Sequence, residues 1–165
     1  MRRGPLLLLL ALAGSAMATA AYANCSQGRA IYHTDDSRTE LAFVTPEGAS
    51  PKTHELHVRL GGLESFGHIN PSANLGQPVM TLPHQCPEDD LTAADLESCI
   101  LYRSVVYALS PGETLRTIPD AGQEAATQIL LPNFSAALYQ NPALDPLEAA
   151  EEAGDIFTLS GCDDE

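Results

Sequence analysis

Five histidines, four cysteines and 22 acidic residues are the groups of this 165-residue chain with the means to do chemistry. His54 and His57 fall in the run His54-Glu55-Leu56-His57, which invites a metal reading. A zinc-hydrolase helix needs two histidines four apart with a glutamate between them. Here the spacing is three and the surrounding alternation is that of a strand, so the two rings point to opposite faces and cannot grip one ion. The plainer alternative is one half-buried and one exposed histidine. His33, His68 and His84 are scattered and would join a site only through tertiary contact. A metal-handling or metal-dependent protein using His54, His57, His68 or His84 is therefore kept as the alternative function.

Ser65 sits in Gly62-Leu63-Glu64-Ser65-Phe66-Gly67. A nucleophile elbow would require glycine where Leu63 stands, together with a strand-turn-helix setting that this stretch lacks. The carboxylate runs Asp35-Asp36, Glu88-Asp89-Asp90 and Asp163-Asp164-Glu165 occupy turns or the terminus, where solvated charge is the default. EF-hand spacing, a phosphate-cradling glycine loop and a catalytic cysteine pattern do not occur. These observations point away from an enzyme, and no cofactor is expected.

The cysteines carry the clearest chemistry. Cys25, Cys86, Cys99 and Cys162 make an even set, all beyond the first 23 residues. Those residues read as a cleaved secretory signal: Arg2 and Arg3, an apolar run from Leu6 to Ala13, and Ala21-Tyr22-Ala23 as the cleavage site. An even count in an oxidising compartment reads as two disulfides. Cys86–Cys99 would close a small loop, a contribution of roughly 3 kcal/mol. Cys25–Cys162 would clamp the first and last strands of the mature chain. Residues 24–165 form one exported domain in this reading, periplasmic or extracellular and of bacterial type, with no later apolar run long enough to cross a bilayer as a helix.

Loss of the signal leaves six basic against 22 acidic residues, a net charge of −16. Nucleic acid and anionic membranes are therefore poor partners. After Arg116 no basic residue follows, whereas ten acidic ones do. Such a surface suits a basic protein partner.

These groups must be positioned by strands. Arg29–Thr34, Glu40–Thr45 and His54–Leu60 read as an antiparallel meander, the third with the cleanest alternation: His54, Leu56, Val58 and Leu60 against Glu55, His57 and Arg59. Gly61-Gly62 turns the chain into Leu63–Ile69. Gln77–Leu82 is expected at a sheet edge, because Pro78 cannot donate to a ladder. Thr92 and Asp95 resemble a capping box for a helix of about two turns beginning at Ala93. From Ile100 to Leu109 both sides of an extended chain are mostly apolar, the pattern of a central strand covered on two faces. Glu113–Ile118 should pair with it as a hairpin. Gln123–Leu131 fits either a helix or a strand ending at Leu131. Asn133 starts a helix through Tyr139, Asp145-Pro146 starts another to Ala153, and Asp155–Ser160 makes the last strand.

The fold class is thus β-rich α+β: an antiparallel sandwich or partly open barrel of about seven to eight strands with two to three short helices. The function expected is a non-enzymatic binding or structural module that docks a basic protein. Binding residues are sought in loops held by a rigid frame, at Asn70, Ser72 and Asn74 and at Glu88, Asp89 and Asp90.

Overall fold

Strict alternation of buried and exposed side chains along His54–Leu60 fixes one face of a sheet as the inside, and the strands on either side repeat it. The computed structural model describes residues 25–36, 38–45, 48, 50, 52–87, 92–110, 112, 114–141, 144 and 154–163. The signal over residues 1–23, the acidic run Glu88-Asp89-Asp90 and the helix expected over 145–153 lie outside the described residues.

Nine antiparallel strands are described: β1 Ala30–His33, β2 Thr39–Val44, β3 His54–Leu60, β4 Leu63–Asn70, β5 Val79–Pro83, β6 Ile100–Val105, β7 Tyr107–Leu109, β8 Gln128–Leu130 and β9 Ile156–Cys162. They form one sheet in the order β6-β5-β4-β3-β2-β1-β9-β8-β7. The two ends of that order, β6 and β7, are consecutive in the chain with Val106 alone between them. The sheet therefore curls into a nearly closed barrel, and one bent strand supplies both of its margins.

This corrects three expectations. Ile100–Leu109 is not a central strand buried on two faces. It turns a corner at Val106, pairs with β5 before it and β8 after it, and leaves Arg103 exposed on the outside. β5 is not at an edge, since it pairs with both β4 and β6. Pro78 stands just before the strand, and its carbonyl accepts from Val106 N at 3.0 Å. The hairpin over Glu113–Ile118 reduces to one bridge, Ala108 with Arg116, N to O at 2.8 and 3.1 Å.

Tyr32, Leu41, Phe43, Leu56, Val58, Ile69, Met80, Leu82, Ile129 and Phe157 fill the interior. Gly67 faces the same interior. A Cβ there would press on Leu82 and Met80 at 3.3 Å, so the glycine makes room for two larger neighbours. The turn Gly61-Gly62 joins β3 to β4 with Gly61 at φ 54°, a conformation that costs glycine nothing.

Two short α-helices among the described residues complete the frame. α1, Ala93–Ser98, has the reciprocal capping box of Thr92 and Asp95: Asp95 N donates to Thr92 Oγ1 at 3.2 Å, and Thr92 N to Asp95 Oδ2 at 3.0 Å. The Cys86–Cys99 disulfide ties this segment to the start of β6. α2, Phe134–Tyr139, plugs one end of the barrel. Phe134 meets Tyr102 and Phe157 edge to face, with ring centres 5.0 and 5.7 Å apart. Asn133 precedes this helix without a side-chain cap. The Asp155 carboxylate caps it instead, accepting from Asn133 N, Ser135 N and Ser135 Oγ, each at 3.0 Å. Cys25–Cys162 joins the N-terminal segment to β9, beside the β1–β9 pairing that begins at Ala30 and Cys162.

Phe134 is fully buried, so Phe134→Ala should cost about 3–5 kcal/mol in urea unfolding. Replacing Cys86 and Cys99 together by serine should cost about 3 kcal/mol, less than opening the far longer loop closed by Cys25–Cys162. An alanine variant at 134 as stable as the parent would contradict the plug.

Candidate functional site

Among the described residues, no α-helix closes the end of the barrel opposite α2, where the single 3-10 turn Gln27–Arg29 lies. Residues 114–127 cross it as an irregular strap held at both sides. Arg116 is bridged to Ala108, and further along Gln27 N donates to Gln123 O, Gly28 N to Ala121 O and Ala125 N to Cys25 O, each at 2.8 Å. Ile118, Ala121 and Ala126 turn inward from the strap. Gly28 lies so close beneath that a Cβ would collide with the Thr45 hydroxyl, which itself donates to the Gly28 carbonyl at 3.0 Å.

Between the strap and the β4–β5 loop lies a cavity of about 270 Å³. His54 forms its floor, Ile118 and Asp120 one wall, and Ser72, Gln77 and Pro78 the other, with Lys52 at the rim. Thr117 Oγ1 donates to Gln77 Oε1 at 3.1 Å and joins the two walls.

His54 is the unusual group. It is 1 % exposed, packed edge to face on Phe43 at 5.5 Å, and neither Nδ1 nor Nε2 makes a well-formed hydrogen bond, the Pro119 backbone offering a weak one at most. Neutral imidazole carries one N–H and one lone pair. Leaving such buried groups unmatched costs roughly 1–3 kcal/mol each, and native proteins hold few of them. The other buried polar side chain of this end, Gln27, is satisfied at its oxygen only, and its Nε2 lacks a partner. Its Oε1 accepts from Ala126 N at 3.1 Å and faces the Tyr32 hydroxyl at 3.1 Å, while that hydroxyl donates to Ala126 O at 2.9 Å. Burial pushes the Tyr32 phenol up, with Gln27 acting in the opposite sense.

The remaining histidines stay apart. His57 lies on the outer face, its ring stacked on Phe66 at 4.7 Å and its Nε2 3.9 Å from Glu64. His68 is exposed on the same outer face, opposite Glu55 in β3, and His84 follows β5. Among the described residues no three His, Cys, Asp or Glu side chains gather as a metal site. Of the loop candidates, Ser72 lines the cavity, Asn70 ends β4 and Asn74 is exposed. With Glu88, Asp89 and Asp90 outside the described residues, docking of a basic protein rests on net charge alone.

Sequence reasoning missed a chain of polar groups across the outer face of β9, β1 and β2. His33 Nδ1 lies 2.6 Å from Ser160 Oγ and Nε2 lies 3.0 Å from Glu40 Oε2, while Arg59 reaches Glu40 at 2.6 Å. The order serine, histidine, carboxylate matches a hydrolase triad. Here, however, the Ser160 hydroxyl donates to the Ile31 carbonyl at 3.0 Å, so its proton is committed to the backbone. His33 and Glu40 face each other across one hairpin, and the pairing of β1 with β9 brings the remote Ser160 to them.

Compared with known protein families, characterised proteins and solved structures, the chain matches none.

Burial holds the His54 pKa below its ordinary 6.5, outweighing the Asp120 charge and the Pro119 backbone, which act in the opposite direction. The unfolded chain thus takes up this proton at higher pH than the folded one. The stability of the neutral ring is complete above 6.5 and is lost as pH falls below it. His54→Leu should raise stability at neutral pH. Between about pH 7.5 and 5 the wild type should lose stability relative to the variant in urea unfolding. A variant less stable at neutral pH, or a difference independent of pH, would contradict the buried unpaired imidazole.

Proposed function

We propose that this chain is an exported, non-catalytic binding module whose barrel mouth takes up one small ligand. The observation that carries this reading is His54, a buried imidazole with neither nitrogen in a well-formed hydrogen bond, lining a cavity that opens at the mouth. A group left unsatisfied at that expense is accounted for if a ligand satisfies it. The frame suits ligand binding, because a small barrel of antiparallel strands holds side chains through most of its length and leaves room for one small molecule at its mouth. Two disulfides fit an oxidising compartment and keep such a frame rigid.

A catalytic reading needs a nucleophile and a base facing the cavity. The residues around His54 supply hydroxyls at Ser72 and Thr117, but neither is hydrogen-bonded to His54, the contact by which a base activates a nucleophile. The Ser160–His33–Glu40 chain points away from the cavity and serves to fasten β9, β1 and β2.

Native mass spectrometry of protein recovered from its own host tests the reading. Wild type should carry a small-molecule adduct released on collisional activation, and His54→Leu should be bare. Bare wild-type protein, before and after incubation with a low-molecular-weight extract of that host, would sink the proposal.

A further inference from the structure

We infer that the ligand of the mouth cavity is a small zwitterion of the amino-acid class, a free α-amino acid or a dipeptide. This rests on the reading of the mouth as a ligand site and concerns what that site selects. The charges at the cavity and its size both point to this class.

Lys52 is the single lysine of a chain with 22 acidic residues, and it stands at the rim of this cavity. Asp120 stands in the wall. Arg38, Arg59 and Arg103 are each paired with a carboxylate, whereas neither Lys52 nor Asp120 forms an ion pair among the described residues. The cavity therefore offers one cation and one anion, neither in an ion pair among the described residues, above a buried imidazole that burial keeps neutral at pH 7.

Each simpler ligand leaves something unmatched. A transition-metal ion finds only one imidazole and one carboxylate, His54 and Asp120, in the lining, short of the three or four such ligands that a resident ion takes. A simple anion meets Asp120 and the field of an acidic protein, and a simple cation meets Lys52. An apolar molecule leaves all three polar groups desolvated and unpaired. An amino acid satisfies them together: its carboxylate on the Lys52 ammonium, its ammonium on the Asp120 carboxylate, and one of these groups within reach of the His54 ring. Its side chain is left to Pro71, Pro78 and Ile118, the apolar part of the lining. The volume of about 270 Å³ falls just below the range of about 300–1,000 Å³ typical of drug-sized ligands, which limits the guest to one or two residues.

Titration of uniformly ¹⁵N-labelled protein at pH 7, read at the His54 ring nitrogens, decides the matter. The probes are L-alanine, L-leucine and alanyl-alanine, against propionate and propylammonium as the two half-charged controls. A zwitterion should move the His54 resonances saturably, and neither control should do so at the same concentration. Lys52→Gln and Asp120→Asn should each weaken that binding at least about tenfold, as loss of a charge-assisted contact demands. If a half-charged control binds as tightly as the amino acids, or the two variants bind like wild type, the class is wrong while the mouth remains a ligand site. If amino acids leave His54 unmoved, the class also falls. A His54 signal equally unmoved by the host's low-molecular-weight extract would remove the site as well.

Discussion

Closure of the sheet through one bent strand is the constraint from which the rest of this structure follows. β6 and β7 are two halves of Ile100–Leu109, and the corner at Val106 lets the same stretch satisfy β5 on one side and β8 on the other. An open sheet of this length would present two rows of unpaired backbone groups. Here the margin that β6 would expose and the margin that β7 would expose meet at a single residue. Val106 N is still satisfied there, by the Pro78 carbonyl. Once the sheet is closed, its interior is available to one face of each strand only, and each barrel end becomes a separate problem.

The two ends are solved differently, and the difference bears directly on function. At one end an aromatic plug, Phe134 between Tyr102 and Phe157, excludes water, and a single carboxylate, Asp155, anchors the helix that delivers it. At the other end the closing element is a strap without regular structure, and polar side chains lie beneath it. Gln27 Oε1 and Tyr32 are bonded into that arrangement; Gln27 Nε2 and the His54 ring are not. A leucine at position 54 would continue the Leu56, Val58, Leu60 pattern of the same strand at no desolvation cost. An unmatched imidazole in that place, open to a cavity, is a departure from local consistency of the kind found at binding sites.

Much of the frame was legible because it is written in short-range chemistry. The alternation of β3, the Thr92–Asp95 capping box and the short Cys86–Cys99 loop each depend on residues whose partners local rules can name. What failed was non-local. Pro78 signals an edge strand only if the sheet has an edge, and it stands one residue before β5 in a sheet that closes. Ile100–Leu109 looked buried on both sides because Leu101, Tyr102 and Val106 are all buried, yet the corner at Val106 and the end plug account for this without a second layer. The site was half legible. Alternation alone places His54 inward, but its surroundings are set by Ile118, Pro119 and Asp120, from a strap with no periodicity to reveal where it lies.

That strap also links the most remote covalent feature of the chain to the cavity. Cys25–Cys162 fixes the N-terminal segment against β9. The backbone of that same segment holds the strap: Cys25 O accepts from Ala125, Gln27 N donates to Gln123, and Gly28 N donates to Ala121. Asp120 adjoins the last of these anchors. A bond between the two ends of the described chain therefore sets the height of a cavity wall, through three hydrogen bonds and no intervening side chain. The absence of a side chain at Gly28 is what allows the approach, since any Cβ there would strike Thr45. The disulfide thus acts on the site as well as on the unfolded chain. Its reduction would loosen the wall carrying Asp120 before it opened the barrel, because β1 and β9 remain paired through their own ladder.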